Sequence, residues 1–380
     1  MSPIFDVPVS TRDGGLGFAL NRDDTPAVTY QGLSGGAGDL VYALKTGDTW
    51  SSQVVQTGKF NGQSTSLTFQ GNTPHIAYRW ANSTDTLYSL NHATFDGNDW
   101  DVSTIYDTQV TNPRHTDIRL DANGRLAVAW IDLHDYLNFE DDTLDYAFQT
   151  VGGWVHEEVA QAPLVNGDVS LRLNGTVADA RIGWVDCTWL SQFPMFSERS
   201  GGSWSSEPIA DGEGVYCAMD LDPDGKPHLA WMDALTGDVM YAYQDAGSWV
   251  TETIYDGAEF FAFNDLRYLD LSVDSQGIAH IVFWDPAAQD LFYAHRGGGA
   301  WITPRLLAED TTAEWVGLEI DSLDRPHAVY FGGGDFGDHK IYYGMGGAVP
   351  EPSTYFMFAL GLLAIYLLRR RRVAERAGDV

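Results

Sequence analysis

The sequence is poor in cysteine and in basic residues. Only 2 of its 380 residues are cysteine, which excludes a disulfide-dense scaffold and a CxxC metal ribbon. Lysine and arginine together number 22, against 53 aspartate and glutamate residues, so the formal net charge is -31. A surface of this charge repels nucleic-acid phosphates, and we expect no nucleic-acid partner. The HExxH, P-loop and CxxC motifs are also missing, which removes the enzyme classes that depend on them.

The first residues of the sequence do not resemble an export signal. Its opening stretch, MSPIFDVPVS, has neither a basic region nor the apolar run of about 7 to 15 residues that a signal peptide requires. The C-terminus, described below, nevertheless indicates export. We therefore expect that translation starts upstream of Met1 or that the sequence is a fragment.

Aromatic residues and glycine are abundant and recur with a period. The chain holds 40 Gly, 18 Tyr, 18 Phe and 13 Trp, which favours many short strands and tight turns. In six places an aromatic residue precedes a tryptophan, in five of them by eight residues: Tyr42 and Trp50, Tyr88 and Trp100, Tyr146 and Trp154, Phe196 and Trp204, Tyr241 and Trp249, Tyr293 and Trp301. A seventh copy carries Tyr342 without a following tryptophan. The repeat therefore has seven units.

Each unit reads as four strands. The clearest one, AMDLDPDGKPHLAWMDALTGDVMYAYQDAGSWVTETIYD (218–256), has turns at Asp-Gly and at Gly247. Four strands per unit, with units about 50 residues apart, predict an all-β, seven-bladed β-propeller of four-stranded blades over residues 1–347. Residues 3–10 are expected to supply the strand that the last blade lacks, which covers two free sheet edges. A tandem of unclosed β-solenoid coils is the alternative, and the four-strand unit disfavours it.

The segment 348–380 differs from the rest. It contains VPEPSTYFMFALGLLAIYLLRRRR (349–372), in which residues 355–368 are uncharged and mostly apolar. We predict a short hydrophobic helix there, although roughly 20 residues are needed to cross a bilayer comfortably. The arginines after it would stay on the cytoplasmic side by the positive-inside rule; they are Arg369, Arg370, Arg371 and Arg372.

This tail resembles the PEP-CTERM sorting signal of exported bacterial proteins. The resemblance identifies Pro350, Glu351 and Pro352 as the motif and implies an exosortase-type enzyme as processing partner. It also implies a transient stay in the inner membrane through the C-terminal helix, followed by release to the cell surface or extracellular matrix. An ordinary single-pass anchor is the alternative.

Candidate ligand-binding residues lie on one face of the predicted propeller. The loops from second to third strands and the links between blades share this face, which we call the looped face, and the long insertions fall there. The candidates are Asp132, Asp186, Asp233, Asp285, Trp189, Phe261, Arg79, Arg114 and Arg267. The aspartates follow second strands, where they either start a loop through backbone hydrogen bonds or bind a ligand. The aromatic residues are either buried under a loop or stack on a sugar.

Three further patterns concern bridges and metals. Cys187 ends a second strand and Cys217 begins the next blade, which predicts a disulfide. Histidines recur in second strands on four blades, too far apart to share one ion, and we expect a packing role; they are His75, His228, His280 and His327. The stretch DLDPDG (220–225) starts like a calcium loop but lacks glutamate at the twelfth position. No metal or other cofactor is predicted, and calcium remains the alternative.

The sequence thus predicts an exported protein that binds polysaccharide or a protein partner through its propeller. The alternative is a polysaccharide-acting hydrolase or lyase. The three arginines invite comparison with sialidase-like propellers, whose arginine cluster binds a carboxylate, but their S-x-D-x-G-x-T-W box is absent. Whether the chain is an enzyme stays open, and we favour binding.

Overall fold

The chain folds into seven antiparallel sheets. The computed structural model describes residues 2–5, 15–34, 37–58, 63–82, 84–108, 111–134, 142–161, 168–187, 192–210, 212–257, 267–309, 311–332 and 340–347. These residues form β-strands, turns and loops, with no helix among them. Six sheets have four strands each, and the sheet of blade 6 has five because its outer strand is split. The predicted all-β, seven-bladed propeller is confirmed.

The strands of blades 1 to 4, from the inner strand outward, are β2 (Leu16–Leu20), β3 (Pro26–Ser34), β4 (Ala37–Thr46), β5 (Thr49–Gln56); β6 (Gln63–Gln70), β7 (Thr73–Ala81), β8 (Tyr88–Phe95), β9 (Trp100–Thr108); β10 (Asn112–Leu120), β11 (Leu126–Leu133), β12 (Thr143–Thr150), β13 (Gly153–Gln161); β14 (Val169–Leu173), β15 (Ala180–Cys187), β16 (Gln192–Ser200), β17 (Ser203–Pro208). Those of blades 5 to 7 are β18 (Gly214–Leu221), β19 (Pro227–Asp233), β20 (Val239–Asp245), β21 (Ser248–Tyr255); β22 (Leu269–Val273), β23 (Ala279–Asp285), β24 (Asp290–Gly297), β25 (Ala300–Trp301), β26 (Arg305–Ala308); β27 (Glu314–Ile320), β28 (Pro326–Gly332), β29 (Lys340–Met345), β1 (Ser2–Phe5).

The seven inner strands form a closed ring. Each of them contacts the inner strand of the next blade, and β27 of blade 7 contacts β2 of blade 1. Blade 7 takes its outermost strand from the N-terminus, because β1 pairs antiparallel with β29. Residues 6–10, the remainder of the N-terminal strand expected from the sequence, lie outside the described residues.

Burial decreases from the second strand of each blade to its outer edge. Every residue of β23 and β28 is buried, because both faces of these strands pack against neighbouring blades. The outer strands β5 and β17 are mostly exposed, and their polar residues suit a sheet edge that must not pair with another chain.

The repeated tryptophans close the interfaces between blades. Each one packs on a ring in the third strand of the preceding blade, with centroid distances of 5.0 to 6.1 Å: Trp50 on Tyr343, Trp100 on Tyr42, Trp154 on His92, Trp204 on Tyr146, Trp249 on Phe196 and Trp301 on Tyr241. The ring of the seventh unit is therefore Tyr343. The sequence pointed to its neighbour Tyr342, which instead stacks on Tyr330 at 5.0 Å.

The second-strand histidines of blades 5 to 7 belong to a repeated hydrogen-bond relay. In blade 6, His280 Nε2 lies 3.2 Å from Asp274 Oδ2, and His280 Nδ1 lies 2.7 Å from the Tyr293 hydroxyl. Since a carboxylate only accepts, Nε2 donates to Asp274 and the Tyr293 hydroxyl donates to Nδ1. Blades 5 and 7 repeat the arrangement with Asp222, His228 and Tyr241 and with Asp321, His327 and Tyr343.

The aspartate of each relay also fixes the turn between the first and second strands. Asp321 Oδ1 accepts hydrogen bonds from the backbone N–H groups of Leu323 and Arg325, at 3.0 and 2.8 Å. Asp222 and Asp274 accept the equivalent pairs. Through the histidine, one carboxylate thus connects the turn, the second strand and the third strand of its blade. The histidines therefore have a structural role, as their recurrence in the repeat predicted.

We expect the relay to make the fold sensitive to acid. Burial acts to raise the pKa of Asp321, but hydrogen bonds from Arg325 and His327 outweigh it and lower the pKa to about 2. Because the folded value lies below the unfolded one, Asp321 stabilises the fold above about pH 4, and this contribution is lost as the pH falls towards 2. Substitution Asp321→Asn should therefore lower the unfolding free energy by about 2 kcal/mol at pH 5 and by little at pH 2.

The measurement is urea unfolding at both pH values. Asp48→Asn serves as the control, because Asp48 is exposed in a turn of blade 1. A deficit of Asp321→Asn that is equal at pH 5 and pH 2 would contradict the linkage.

Candidate functional site

The mouth of the central channel on the looped face is formed by one equivalent residue from each blade. Each inner strand has an equivalent pair with its second strand, such as Gly17 with Thr29 in blade 1. Counting back two residues from this pair in each blade gives Gly15, Ser64, His115, Asp168, Tyr216, Tyr268 and Trp315. Four of the seven have positive φ: Ser64 47°, His115 51°, Tyr216 57° and Trp315 51°. At each of these four the pairing register shifts, which marks a β-bulge. Bulges re-aim side chains and are frequent beside binding sites.

The mouth is narrow. A Cβ on Gly15 would lie 2.6 Å from the backbone nitrogen of Thr65, so only glycine fits where the bulge of β6 packs against blade 1. The cavity at this end of the channel is lined by Ser64, His115, Arg267 and Trp315 among others and has a volume of about 40 Å³. This is room for a water or two, or for a group the size of a hydroxymethyl.

One side of the mouth is polar and nearly buried. Asp168 is 2% exposed, and its Oδ1 lies 3.5 Å from both His115 Nδ1 and Arg267 Nε. Neither oxygen of Asp168 receives a well-formed hydrogen bond from the described residues. Burial acts to lower the pKa of Arg267, but the carboxylates of Asp168, Asp270 and Asp117 outweigh it and raise the pKa. The guanidinium of Arg267 therefore stays charged and is balanced locally.

The other side of the mouth is aromatic. Tyr216 and Tyr268 meet edge to face at 4.7 Å, and Tyr268 meets Trp284 in the same way at 4.8 Å. Trp315 lies parallel to His115 at 6.3 Å. The indole nitrogen of Trp284 donates to the carbonyl of Thr311 at 2.7 Å, whereas that of Trp315 finds no acceptor among the described residues.

Charged residues line the channel below the mouth and connect the blades. Asp117, Asp220 and Asp270 each accept a hydrogen bond of 2.8 Å from a backbone N–H of the next inner strand, namely those of Leu171, Val273 and Leu318. Arg172 lies 2.7 Å from Asp220 and 3.4 Å from Asp117. Arg119 lies 3.2 Å from Asp117 and 3.8 Å from Glu319. The carboxylates thus bind neighbouring backbone, and the arginines offset their charge.

The three predicted arginines do not converge. Arg79 is 1% exposed, lies 2.6 Å from Asp85 and stacks over Tyr88 at 4.7 Å. Arg114 is the third residue of β10 and pairs with Ile131 of β11. Only Arg267 lines the mouth, so the structure brings one of the three to the candidate site.

The four predicted aspartates divide into two kinds. Asp233 and Asp285 start their loops, since each Oδ1 accepts two backbone hydrogen bonds. Asp132 and Asp186 each have an Oδ1 without a partner among the described residues, and burial raises the pKa of both, that of Asp132 to about 7. Asp132 accepts from the Thr111 hydroxyl at 2.8 Å. The four aspartates occupy equivalent positions in the repeat, but their side chains have different surroundings.

The predicted disulfide is not formed. Cys217 carries a free, buried thiol. A Cβ on Gly183 would lie 3.3 Å from Cys217 Sγ, and Cys187 is four residues further along β15, about 13 Å at the usual rise per residue. Bridged cysteines need Cα atoms within about 7 Å.

Other predicted residues lie outside the described ones. They are Trp189, Phe261 and the tail residues Pro350, Glu351, Pro352, Arg369, Arg370, Arg371 and Arg372, together with the expected helix 355–368. Among the residues that the structure describes, no helix is long and apolar enough to cross a membrane, and no three histidine, cysteine, aspartate or glutamate side chains are placed to hold a metal ion.

Comparison with known proteins identifies the tail and the fold. Residues 348–372 match the PEP-CTERM protein-sorting motif. No curated protein matches the chain in sequence. A polysaccharide lyase, an ulvan lyase bound to a saccharide that contains glucuronic acid, superimposes with a TM-score of 0.59 at 10% identity, covering 91% of this chain and 94% of that one.

Two further structures are similar in fold. An α-L-arabinanase from Penicillium chrysogenum in complex with arabinobiose gives a TM-score of 0.51 at 12% identity over 74% of this chain and 92% of its own. A protein of unknown function from Dyadobacter fermentans gives 0.52 at 11% identity over 89% and 96%. At these identities the likeness shows the fold alone.

The chain is therefore a seven-bladed β-propeller that ends in a PEP-CTERM sorting motif. The motif implies export, passage through the membrane and processing by an exosortase. The sequence predicted both parts, and both are confirmed.

The channel network predicts a pH effect on stability. Burial raises the pKa of Glu319 to about 7, against the opposing charges of Arg119 and Arg172. The folded value lies above the unfolded one, so stability is lost as the pH rises from about 4.5 to 7. We expect Glu319→Gln to be more stable than the parent by about 3 kcal/mol at pH 8 and equal to it at pH 4. The exposed Glu158 provides the control, Glu158→Gln, which should show no such difference in denaturant unfolding.

Proposed function

We propose that this protein is an exported polysaccharide-binding propeller that holds its ligand at the channel mouth. The observation that carries the proposal is a pair of buried polar atoms at the mouth that form no hydrogen bond with the described residues: Oδ2 of Asp168, whose Oδ1 faces His115 and Arg267, and the indole nitrogen of Trp315. Buried polar groups are normally hydrogen-bonded, and exceptions mark sites where a ligand or water completes the set. Sugar hydroxyls both donate and accept, so one hydroxyl group can serve either partner.

The charge of the mouth indicates the kind of saccharide. Arg267 is paired with Asp168 and Arg79 with Asp85, so neither offers an uncompensated cation for a ligand carboxylate. The net charge of -31 also repels polyanions at long range. A neutral, hydroxyl-rich chain fits these conditions better than a polyuronate, with its end or a side group entering the narrow mouth.

The final location would be the cell surface or extracellular matrix, where such polysaccharides occur. The PEP-CTERM motif supports delivery beyond the membrane, and the hydrophobic segment 355–368 would anchor the chain until processing.

Catalysis at the same mouth is the second candidate. His115 and Asp168 form a contact of 3.5 Å beside Tyr216 and Tyr268, and a histidine with a carboxylate partner is a usual acid–base arrangement. Both the ulvan lyase and the arabinanase have this fold, which supports the candidate by analogy alone.

A glycan array tests both candidates with one pair of variants. Trp315→Phe removes the unsatisfied indole N–H and keeps an aromatic ring, and Trp184→Phe removes an indole N–H that is already paired with Ser197 inside blade 4. We expect Trp315→Phe to weaken retention of the bound glycan about tenfold, the equivalent of one hydrogen bond, with unchanged thermal stability. Trp184→Phe should lower stability and leave retention unchanged.

The outcome separates the alternatives. If Trp315→Phe binds the glycan with unchanged affinity, the ligand binds somewhere other than the channel mouth. Release of shortened or unsaturated saccharide by the parent would replace the binding function with the enzymatic one.

The sorting function has its own test. Double substitution Pro350→Ala and Pro352→Ala should abolish processing, because the resemblance assigns recognition to this motif. We expect the variant to accumulate in the membrane fraction at its full mass, whereas Pro304→Ala in the body should be processed normally. Normal processing of the double variant would contradict the assignment.

A further inference from the structure

One of the seven blade interfaces lacks its tryptophan. At six interfaces a tryptophan from one blade packs on the third-strand ring of the preceding blade. Between blades 6 and 7 the equivalent ring is Tyr293, which takes the same place in its relay as Tyr241 and Tyr343. No tryptophan of the described residues packs on Tyr293. A pocket of about 480 Å³ is found there instead.

The pocket is largely apolar. Tyr293 and Ala294 line it on blade 6, Leu318, Pro326 and Ala328 line it on blade 7. Ile302 and Leu306, also in its wall, are 47% and 38% exposed, a notable exposure for large aliphatic side chains at one place. Ile302 and Thr303, which lie in the break between β25 and β26, both line the pocket.

The chain itself leads into the pocket. Residues 344–347 line it, and the N–H of Gly346 donates to the carbonyl of Pro326 on its wall at 2.7 Å. The residues that follow Gly347 are Ala348, Val349, Pro350, Glu351 and Pro352, which start the sorting tail. An extended chain advances by about 3.3 Å per residue, so Val349 and Pro350 reach no further than about 10 Å from Gly347.

The charge at the rim also suits this segment. Arg305 lines the pocket, and none of the described carboxylates forms an ion pair with it. The sorting motif offers two apolar residues, Val349 and Pro350, followed at once by the acidic Glu351. An apolar pocket with one cation at its edge is complementary to that order.

We propose that the first residues of the sorting tail, 348–352, dock in the pocket between blades 6 and 7. Val349 and Pro350 occupy the place that a tryptophan fills at the other interfaces, and Glu351 pairs with Arg305. The propeller thereby holds the Pro-Glu-Pro motif against its own surface. The processing enzyme has access to the motif only when the segment leaves the pocket.

Cross-linking of the full-length chain in detergent tests the docking. Ile302→Cys with Val349→Cys, in a background of Cys187→Ser and Cys217→Ala, should form a disulfide at least tenfold faster than Val151→Cys with Val349→Cys. Val151 is fully exposed in the outer turn of blade 3, far from the pocket. Bridged cysteines need Cα atoms within about 7 Å, so equal rates for the two pairs would overturn the proposal.

A second measurement avoids the cysteine background. Pancreatic elastase, which cleaves after small residues, cuts the Ala348–Val349 bond only when that bond is accessible. Arg305→Glu should speed this cut at least fivefold in the otherwise unchanged chain, because it replaces attraction by repulsion at the rim. Lys226→Glu makes the same charge reversal at an exposed turn of blade 5 and should have no effect. Equal cleavage of Arg305→Glu and Lys226→Glu would also refute the docking.

Discussion

The structure depends on closing the ring of inner strands. The inner edge of each blade presents backbone N–H groups that have no further strand to pair with, and a buried unpaired N–H costs about 1 to 3 kcal/mol. Asp117, Asp220 and Asp270 meet this need by accepting from the next blade. Asp117 is buried and Asp220 and Asp270 are half-buried, so these carboxylates require the arginines beside them. The charged channel is therefore a consequence of closure.

Closure leaves the mouth of the channel free to vary. The interface tryptophans recur at six interfaces and the relays recur in blades 5 to 7, because the blades that share them pack in the same way. The mouth position carries Gly, Ser, His, Asp, Tyr, Tyr and Trp in the seven blades. Such variation at one position around the centre of the ring suits recognition better than packing. Strain at four of the seven residues agrees with a position selected for side-chain direction rather than for stability.

The sequence predicted the repeated elements, but it did not predict the contacts between blades or the residues that lie in bulges. The spacing of aromatic residues predicted seven blades and four strands per blade. It did not show that Trp301 packs on Tyr241 of the preceding blade, because spacing within a unit carries no information on partners between units. The mouth residues His115 and Trp315 escaped notice for a related reason. Each sits in a bulge, which shifts the alternation of faces that sequence periodicity relies on.

Single residues show the same limit. Asp132 and Asp233 follow second strands at equivalent positions, yet Asp233 bonds its own loop while Asp132 is buried beside Thr111 of the preceding link. The local sequence predicted the first and could not predict the second, since Thr111 is distant along the chain. The predicted disulfide is not formed because Cys217 packs near Gly183 and not near Cys187. The packing of blade 4 on blade 5 determines this contact, and the local sequence does not show it.

Blade 7 combines these constraints. It takes its outer strand from β1, so β29 is not followed by the hairpin that brings a tryptophan to the interface in the other blades. The same connection that closes the ring therefore leaves Tyr293 uncovered and releases the chain after Gly347 beside the opening. The closure of the ring by β1 and the start of the sorting tail therefore both affect the interface between blades 6 and 7. A change in how blade 7 is completed would also change the pocket beside which the tail begins.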